Sequence, residues 1–325
     1  MNLKSTFILL IFLGAALLAP AQKYDFVVAK DGSGTFKTVQ EAINAVPDFR
    51  KNVTTIYIKN GTYKEKLTLP ASKTAVKMIG EDVKKTILTF DDYASKKNRF
   101  GEEMGTTGST SFFVFGDDFT AESLTFENAA GPVGQAVAVR IDGDKVMFQN
   151  CRFLGFQDTL YPHGEKSRQY YKNCYIEGTT DFIFGWSTAV FENCEIFSKK
   201  GGNFVTAAST LEGAPYGFVF LNCRLTGDAP EKSYYLGRPW RPFAKTVFIN
   251  TYLGKHIRPE GWHNWNKPEA EKQVLYAEFN SSGPGASRTG RVHWAKQLTE
   301  EEAKQYSLKN IFGDWVPGQV VTAGK

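Results

Sequence analysis

The chain has 325 residues, of which 22% are charged and 14% aromatic, and a formal net charge of +5 at pH 7. It contains no dense Lys/Arg tract of the kind that marks nucleic-acid binding, so no nucleic-acid partner is expected. Its four cysteines form no Cys-x-x-Cys pair and no His stands at ligand spacing, so no metal site and no cofactor are implied.

The first stretch reads as an export signal. Lys4 supplies a positive start, residues 7–18 an apolar run, and Ala19-Pro20-Ala21 a small-residue cleavage site. The run is too short for a comfortable membrane span, and no other segment could cross a bilayer. Residues 1–21 are therefore expected to be removed, leaving residues 22–325 as one exported domain, in the periplasm or the medium, with no membrane association. Only Lys4 is charged in the removed part, so the formal charge falls from +5 to +4. That mild excess suits a polyanion but does not require one. About 300 residues is long for one globular core, whereas a solenoid grows by adding turns.

Residues 25–29 read as a strand and Asp31-Gly-Ser-Gly34 as a turn. No Gly-Lys-Ser/Thr follows, so this is not a phosphate loop. Thr38-Val-Gln-Glu41 is a capping box, and Ala42, Ile43, Ala45 and Val46 continue an amphipathic helix that Pro47 stops. Such a helix would cap the open end of a solenoid, whose sheet edges otherwise invite aggregation. Residues 53–59, 76–80 and 86–90 are further strands, with Gly61-Thr-Tyr-Lys-Glu65 an early turn. Residues 91–110 are polar and Gly-rich and read as a long loop. Residues 111–115 resume the sheet, and residues 135–140 alternate cleanly. In the C-terminal part, residues 273–279 are a strand, and residues 298–306 form a short helix capped by Thr299.

Between residues 148 and 253 one pattern recurs five times. Phe148-Gln-Asn-Cys-Arg-Phe, Tyr171-Lys-Asn-Cys-Tyr-Ile, Phe191-Glu-Asn-Cys-Glu-Ile, Phe220-Leu-Asn-Cys-Arg-Leu and Phe248-Ile-Asn-Thr-Tyr-Leu start 23, 20, 29 and 28 residues apart. Residues 119–126 look like a degenerate earlier copy. Short apolar repeats with variable insertions indicate a parallel β-helix whose insertions become loops on one face. Asn tolerates the left-handed backbone of a tight bend. Cys151, Cys174, Cys194 and Cys223 share one repeat position. That favours a stack of small buried side chains, with a Cys151–Cys174 disulfide as the alternative.

The first two copies extend further. Gly155-Phe-Gln157-Asp158 aligns with Gly178-Thr-Thr-Asp181, so the two aspartates fall in one register on neighbouring coils. Adjacent strands lie about 4.8 Å apart. Two carboxyls that close cannot comfortably both ionise, and one is pushed to stay protonated. A neutral acid beside a carboxylate is an acid/nucleophile pair.

Gly134-Gln-Ala-Val-Ala138, Gly155-Phe-Gln-Asp-Thr-Leu-Tyr161, Gly178-Thr-Thr-Asp-Phe-Ile-Phe-Gly185 and Leu236-Gly-Arg-Pro-Trp240 resemble the signature blocks of the pectinesterases. Companions such as Gly283-Pro-Gly-Ala286 and Arg291-Val-His-Trp294 agree, and the resemblance covers residues 24–315. It implies a right-handed parallel β-helix, a methyl-esterified polygalacturonate substrate, and a monomer. Carried over by motif, Asp158 resembles the general acid/base, Asp181 the nucleophile, and Gln135 and Gln157 the oxyanion-hole amides. Arg238 resembles the partner that keeps Asp181 ionised, and Trp240, Tyr161 and Phe184 resemble sugar-contacting aromatics. The loop of residues 162–168 is two residues longer than in plant members and should shape substrate access. Where the family usually has Gly-Thr-Val-Asp, this chain has Thr180.

On this reading Asp181 attacks the ester and Asp158 protonates the leaving methoxide, or Asp181 activates water directly. His163, His256, His263 and His293 are bystanders, since no Ser stands in a Gly-x-Ser-x-Gly elbow. Asp91-Asp92 and Asp117-Asp118 read as solvated loop ends. A β-helix depolymerase and a non-catalytic polysaccharide-binding module are the competing functions. The first would also fit carboxyls about 5 Å apart.

Overall fold

The computed structural model describes residues 24–318; the expected export segment, residues 1–21, lies outside the described residues. Within them the chain winds through three sheets of eleven, seven and eight strands. Each central coil contributes one strand to each sheet. One coil runs Val146–Gln149, Arg152–Leu154 and Leu160–Pro162. The next runs Arg168–Lys172, Tyr175–Gly178 and Thr180–Gly185. Phe148 lies beside Tyr171, Arg152 beside Tyr175 and Leu160 beside Ile183, all in parallel register. The architecture is the parallel β-helix expected from the repeat.

Each repeat copy spans the corner between the eleven- and eight-stranded sheets. The corner needs a left-handed residue, which costs most side chains about 1–2 kcal/mol but suits Asn. Asn150, Asn173, Asn193, Asn222 and Asn250 all take it, with φ between 51° and 54°. Asn280, at 49°, is a sixth corner that the sequence pattern did not reveal. The aromatic that opens each copy points into the coil. The rings of Phe148, Tyr171, Phe191, Phe220 and Phe248 stack in series, with centroids 5.2, 4.6, 4.5 and 4.4 Å apart. The four cysteines are buried free thiols, not a disulfide. They form the expected stack, in which the Cys174 N–H donates to the Cys194 Sγ at 3.4 Å.

The degenerate copy is shifted from its expected place. Ala121, not Phe119, lies beside Phe148, and Ser123 takes the left-handed corner at φ 55°. Phe119 lies two residues before Ala121, just ahead of the strand Thr120–Glu122. Residues 61–65, read as a turn, contain the strand Gly61–Lys64. Of residues 135–140 only Val139 and Arg140 belong to a strand, Val139–Ile141. The long loop holds a hairpin and a short helix, Gly105–Gly108. Asp92 in that loop is not solvated: it is buried and paired with Lys66 at 2.5 Å and Lys96 at 2.8 Å.

The ends are closed differently. The helix Val39–Ala45 carries the expected capping box and buries Val39, Ala42 and Ile43. Its first N–H groups donate to the Glu65 carboxylate, so one acid satisfies two orphan helix donors. The C-terminal helices Glu300–Ala303 and Leu308–Phe312 lie along the flank instead. There Ile311 and Phe312 pack on Met147, Tyr170, Val190 and Val219, the outward side chains of the large sheet. Arg168 fastens this strap through Asp144, Asp314 and the Phe312 carbonyl.

Candidate active site

The seven-stranded sheet carries the site. Its strands include Val139–Ile141, Leu160–Pro162, Thr180–Gly185 and Phe204–Ala208 in successive coils. Gln135, Gln157, Asp158 and Asp181 all stand at the N-terminal ends of these strands. Gln135 and Gln157 form a lone parallel bridge, tied by the Ala136 N–H to the Gln157 carbonyl at 3.1 Å. In the next step the Asp158 N–H donates to the Thr180 carbonyl at 3.1 Å. The register that places Leu160 beside Ile183 therefore sets Asp158 against Asp181, as the repeat predicts.

Both aspartates occupy the left-handed region, Asp158 at φ 64° and Asp181 at φ 51°. Beside Asp181 the pairing slips. Thr180 faces Phe204 but Ile183 faces Thr206, so the Asp181 coil has one residue more than its neighbour. A bulge of this kind re-aims a side chain out of the regular alternation. It turns Asp181 towards Arg238, whose guanidinium donates two hydrogen bonds to the carboxylate, at 2.9 and 2.6 Å. Arg238 is itself held flat between rings, 3.9 Å from the Phe204 centroid and 3.7 Å from that of Trp265. Its backbone is set by a 3.0 Å bond to the Thr206 carbonyl.

The environments of the two carboxyls differ. Asp158 and Asp181 are 7% and 6% exposed, so burial penalises both charges alike. Burial pushes Asp158 well above the usual carboxylate range, and the charge of Asp181 pushes it further. Among the described residues the Asp158 carboxyl has no hydrogen-bond donor to offset this. Burial raises Asp181 as well, but the hydrogen bonds and charge of Arg238 pull it back. Arg238 was expected to hold Asp181 below the ordinary value; burial outweighs it. The ordering of the pair is nonetheless the expected one, with Asp158 the more readily protonated.

Three aromatics expected at the site occupy two roles. Tyr161 and Phe184 are stacked 4.0 Å apart and each is only 4% exposed. They form the floor rather than a free sugar face, and burial raises the Tyr161 phenol to about 12. Trp240 is half-buried and rests on this floor, 6.3 Å from Tyr161 and 5.9 Å from Phe184. Trp186, which the sequence reading passed over, lies nearly parallel to Trp240 at 6.1 Å. Trp265 and Phe204 were also missed. Trp186 immediately follows the Gly185 that closed its motif, so the signal was one residue away. Trp265 and Phe204 carry no sequence signal, because only the coil brings them to Arg238.

Two histidines set aside in the sequence reading border the site. His263 Nδ1 accepts the Trp265 backbone N–H at 2.9 Å and so fixes the turn that carries that ring. His163 Nδ1 lies 2.5 Å from an Asp142 oxygen, and its ring is 4.1 Å from Trp186. Burial raises Asp142, but hydrogen bonds from His163 and Arg140 leave it lowered. Beyond Trp186 opens a cavity of about 450 Å³, lined by His163, Glu165, Trp186, Leu211, Glu212 and Arg241 among others. Glu165 belongs to the longer loop expected to shape access.

A family model described as Pectinesterase matches residues 25–314. Pectinesterase 31 of Arabidopsis thaliana is 43% identical over 285 residues, spanning 86% of this chain and 89% of its own length. Pectinesterase 4 of the same plant is 42% identical over 90% of this chain, which spans only 51% of that longer protein. The solved pectin methylesterase from carrot superposes with a TM-score of 0.82 at 35% identity, covering 90% of this chain and 94% of its own. A pectin methylesterase solved in complex with a hexasaccharide gives 0.80 at 32%, covering 92% of this chain and 100% of its own.

Proposed function

The chain belongs to the pectinesterase family, and from that premise we propose that it hydrolyses the methyl esters of pectin, giving pectate and methanol, with Asp181 as nucleophile. The observation that carries the residue assignment is the bidentate Arg238–Asp181 pair beside an Asp158 without a donor. Arg238 favours the charged form of Asp181, which an attacking carboxylate must have. Asp158 stays protonated and can give a proton.

In the first half-reaction an Asp181 oxygen attacks the ester carbonyl carbon. The side-chain N–H groups of Gln135 and Gln157 receive the developing oxyanion; among the described residues neither amide is engaged elsewhere. Asp158 transfers its proton to the methoxide oxygen as the C–O bond breaks, and methanol departs. In the second half-reaction the Asp158 carboxylate takes a proton from water. The water oxygen attacks the acyl carbon, and Asp181 leaves as carboxylate. Phe204 and Trp265 matter by pinning Arg238, because a guanidinium that could swing away would let burial neutralise the nucleophile. The bulge at Asp181 and the tight Asp158 turn hold both carboxyls in place before substrate arrives.

The polysaccharide lies across Trp240 and Trp186. Export follows from the residue 1–21 segment. Among the described residues no helix is long and apolar enough to cross a membrane. The test is to incubate the pure protein with highly methylated pectin. Methanol release without chain shortening is expected. Shortened or unsaturated chains would indicate a depolymerase, and binding without methanol release a carbohydrate-binding module; either result overturns the proposal.

A further inference from the structure

We infer that Arg168 is a positioning residue that ties the C-terminal strap to the loop of residues 163–167, so that seating of the strap sets how tightly a pectin chain is held at Trp186. This rests on the reading of Trp186 as part of the wall along which the polysaccharide lies.

The loop is fastened at both ends to one short segment of the preceding coil, residues 141–144. At its start the His163 and Gly164 N–H groups donate to the Ile141 carbonyl at 2.8 and 3.1 Å. The His163 ring meets Asp142 at 2.5 Å, and Arg140 donates to both Asp142 oxygens, at 2.7 and 3.0 Å. At its end the Ser167 hydroxyl donates to the Gly143 carbonyl at 2.5 Å, and the Arg168 N–H donates to Asp144 at 2.9 Å. Gly143 is pressed against the coil before it, where a Cβ would lie 2.2 Å from the Gly116 carbonyl oxygen. Within the loop Glu165 and Lys166 are exposed. His163 and Gly164 line the cavity beyond Trp186, and the His163 ring is 4.1 Å from that indole.

The same segment carries the anchor of the strap. Arg168 Nε and Nη2 donate to the two Asp144 oxygens, at 3.0 and 2.7 Å. Its Nη1 donates to the Phe312 carbonyl at 2.8 Å and to Asp314 at 2.6 Å. Phe312 ends the helix Leu308–Phe312, where a cation satisfies a carbonyl that the helix leaves unpaired. One guanidinium thus joins parts of the chain 144 residues apart.

Asp142 and Asp144 stand two residues apart. The first holds His163 beside the cavity, and the second holds Arg168 at the strap. If the strap lifts, Arg168 loses two of its three partners and regains rotamer freedom, and the Ser167 end of the loop loosens with it. None of these hydrogen bonds involves Asp158, Asp181 or Arg238. Turnover should therefore be spared and affinity lost.

The test measures methanol release from pectin by Arg168→Ala, Asp314→Ala and the double variant of the full protein, well below each unfolding midpoint. Arg168→Ala is expected to raise KM about tenfold with kcat within about twofold. Asp314→Ala, whose carboxylate is 78% exposed, should keep the fold and raise KM about threefold. The double variant should be no worse than Arg168→Ala alone, because both act through one contact. Asn222→Ala, a left-handed corner two coils further on, should lower the melting temperature and leave KM unchanged. The same order is expected in Kd for esterified pectin in an Asp181→Ala background, a readout that stands whether or not methanol is released. Unchanged KM and Kd in Asp314→Ala, additive effects in the double variant, a fall in kcat at constant KM, or an equal KM rise in Asn222→Ala would each overturn the inference. Absence of methanol release by the unsubstituted protein, with the Kd order intact, would sink the esterase proposal and leave the link between strap and loop standing.

Discussion

The repeat corner and the proposed catalytic row use the same backbone device for opposite ends. At the corner, five Asn residues take a left-handed conformation and point outward, and the coil simply repeats. In the row, Asp158 and Asp181 take that conformation too, but there the coil is irregular, with a lone Gln135–Gln157 bridge and a bulge at Asp181. The corner spends identical residues on identical geometry. The row sets Gln135, Gln157, Asp158 and Asp181 on successive coils along one edge of the seven-stranded sheet. Side chains at the corner should therefore matter to stability and not to turnover, and those in the row the reverse.

Asp181→Ala presses this contrast hardest. Methanol release should fall by about 10,000-fold or more, the scale seen when a nucleophile is removed. The melting temperature should stay within a few degrees, because the substitution also removes a buried charge. A folded, active Asp181→Ala protein would falsify the assignment.

Asp158→Asn should cost about 100- to 10,000-fold, as the loss of a general acid does. It should also show that the row is held against stability. The folded-state pKa of Asp158 is raised above its unfolded value, so its favourable contribution is complete below about pH 4 and is lost as pH rises through the folded value. Asn carries no such charge. Denaturant unfolding should thus find the variant gaining on the parent as pH climbs from 4 to 8, and a constant difference would contradict the raised value. The activity of the parent should rise as Asp181 ionises and fall again as Asp158 does.

Gln157→Ala should lose about 100- to 1000-fold in turnover, the usual effect of one oxyanion donor, with stability within about 0.5 kcal/mol. Its side chain bonds to nothing among the described residues, so no structural loss should accompany the kinetic one. A parallel drop in melting temperature would instead make it a ladder residue.

How much of this was legible in the sequence follows the same division. The corner was readable because Phe-x-Asn-Cys repeats, and the aspartate pair because it keeps the offset of its Asn residues. The shifted copy at residues 119–126 misled because the conserved spacing there belongs to Ala121, Ser123 and Phe126, while Phe119 is the more conspicuous aromatic. The partners of Arg238 were invisible for a geometric reason. Phe204 and Trp265 lie 34 and 27 residues from it in sequence, in segments with no shared pattern, and only the winding of the coil brings them together. The balance on Asp181 was misjudged because a motif shows a charge partner but not the depth of burial.

The smallest effect separates two reasons for Asn at the corner. Asn173 donates to Asn150 across one coil step at 3.3 Å, and its side chain is exposed. A long hydrogen bond in water adds little to stability. The φ of 53° is the stronger constraint, since a side chain without Asn's tolerance costs about 1 kcal/mol or more there. Asn173→Ala should therefore destabilise by about that much, whereas Asn173→Gly, free of the steric penalty, should stay within about 0.5 kcal/mol of the parent. Methanol release should be unchanged in both. If Gly proves as costly as Ala, the side-chain ladder and not the bend is what Asn supplies, and the likeness between corner and catalytic row is confined to a shared angle.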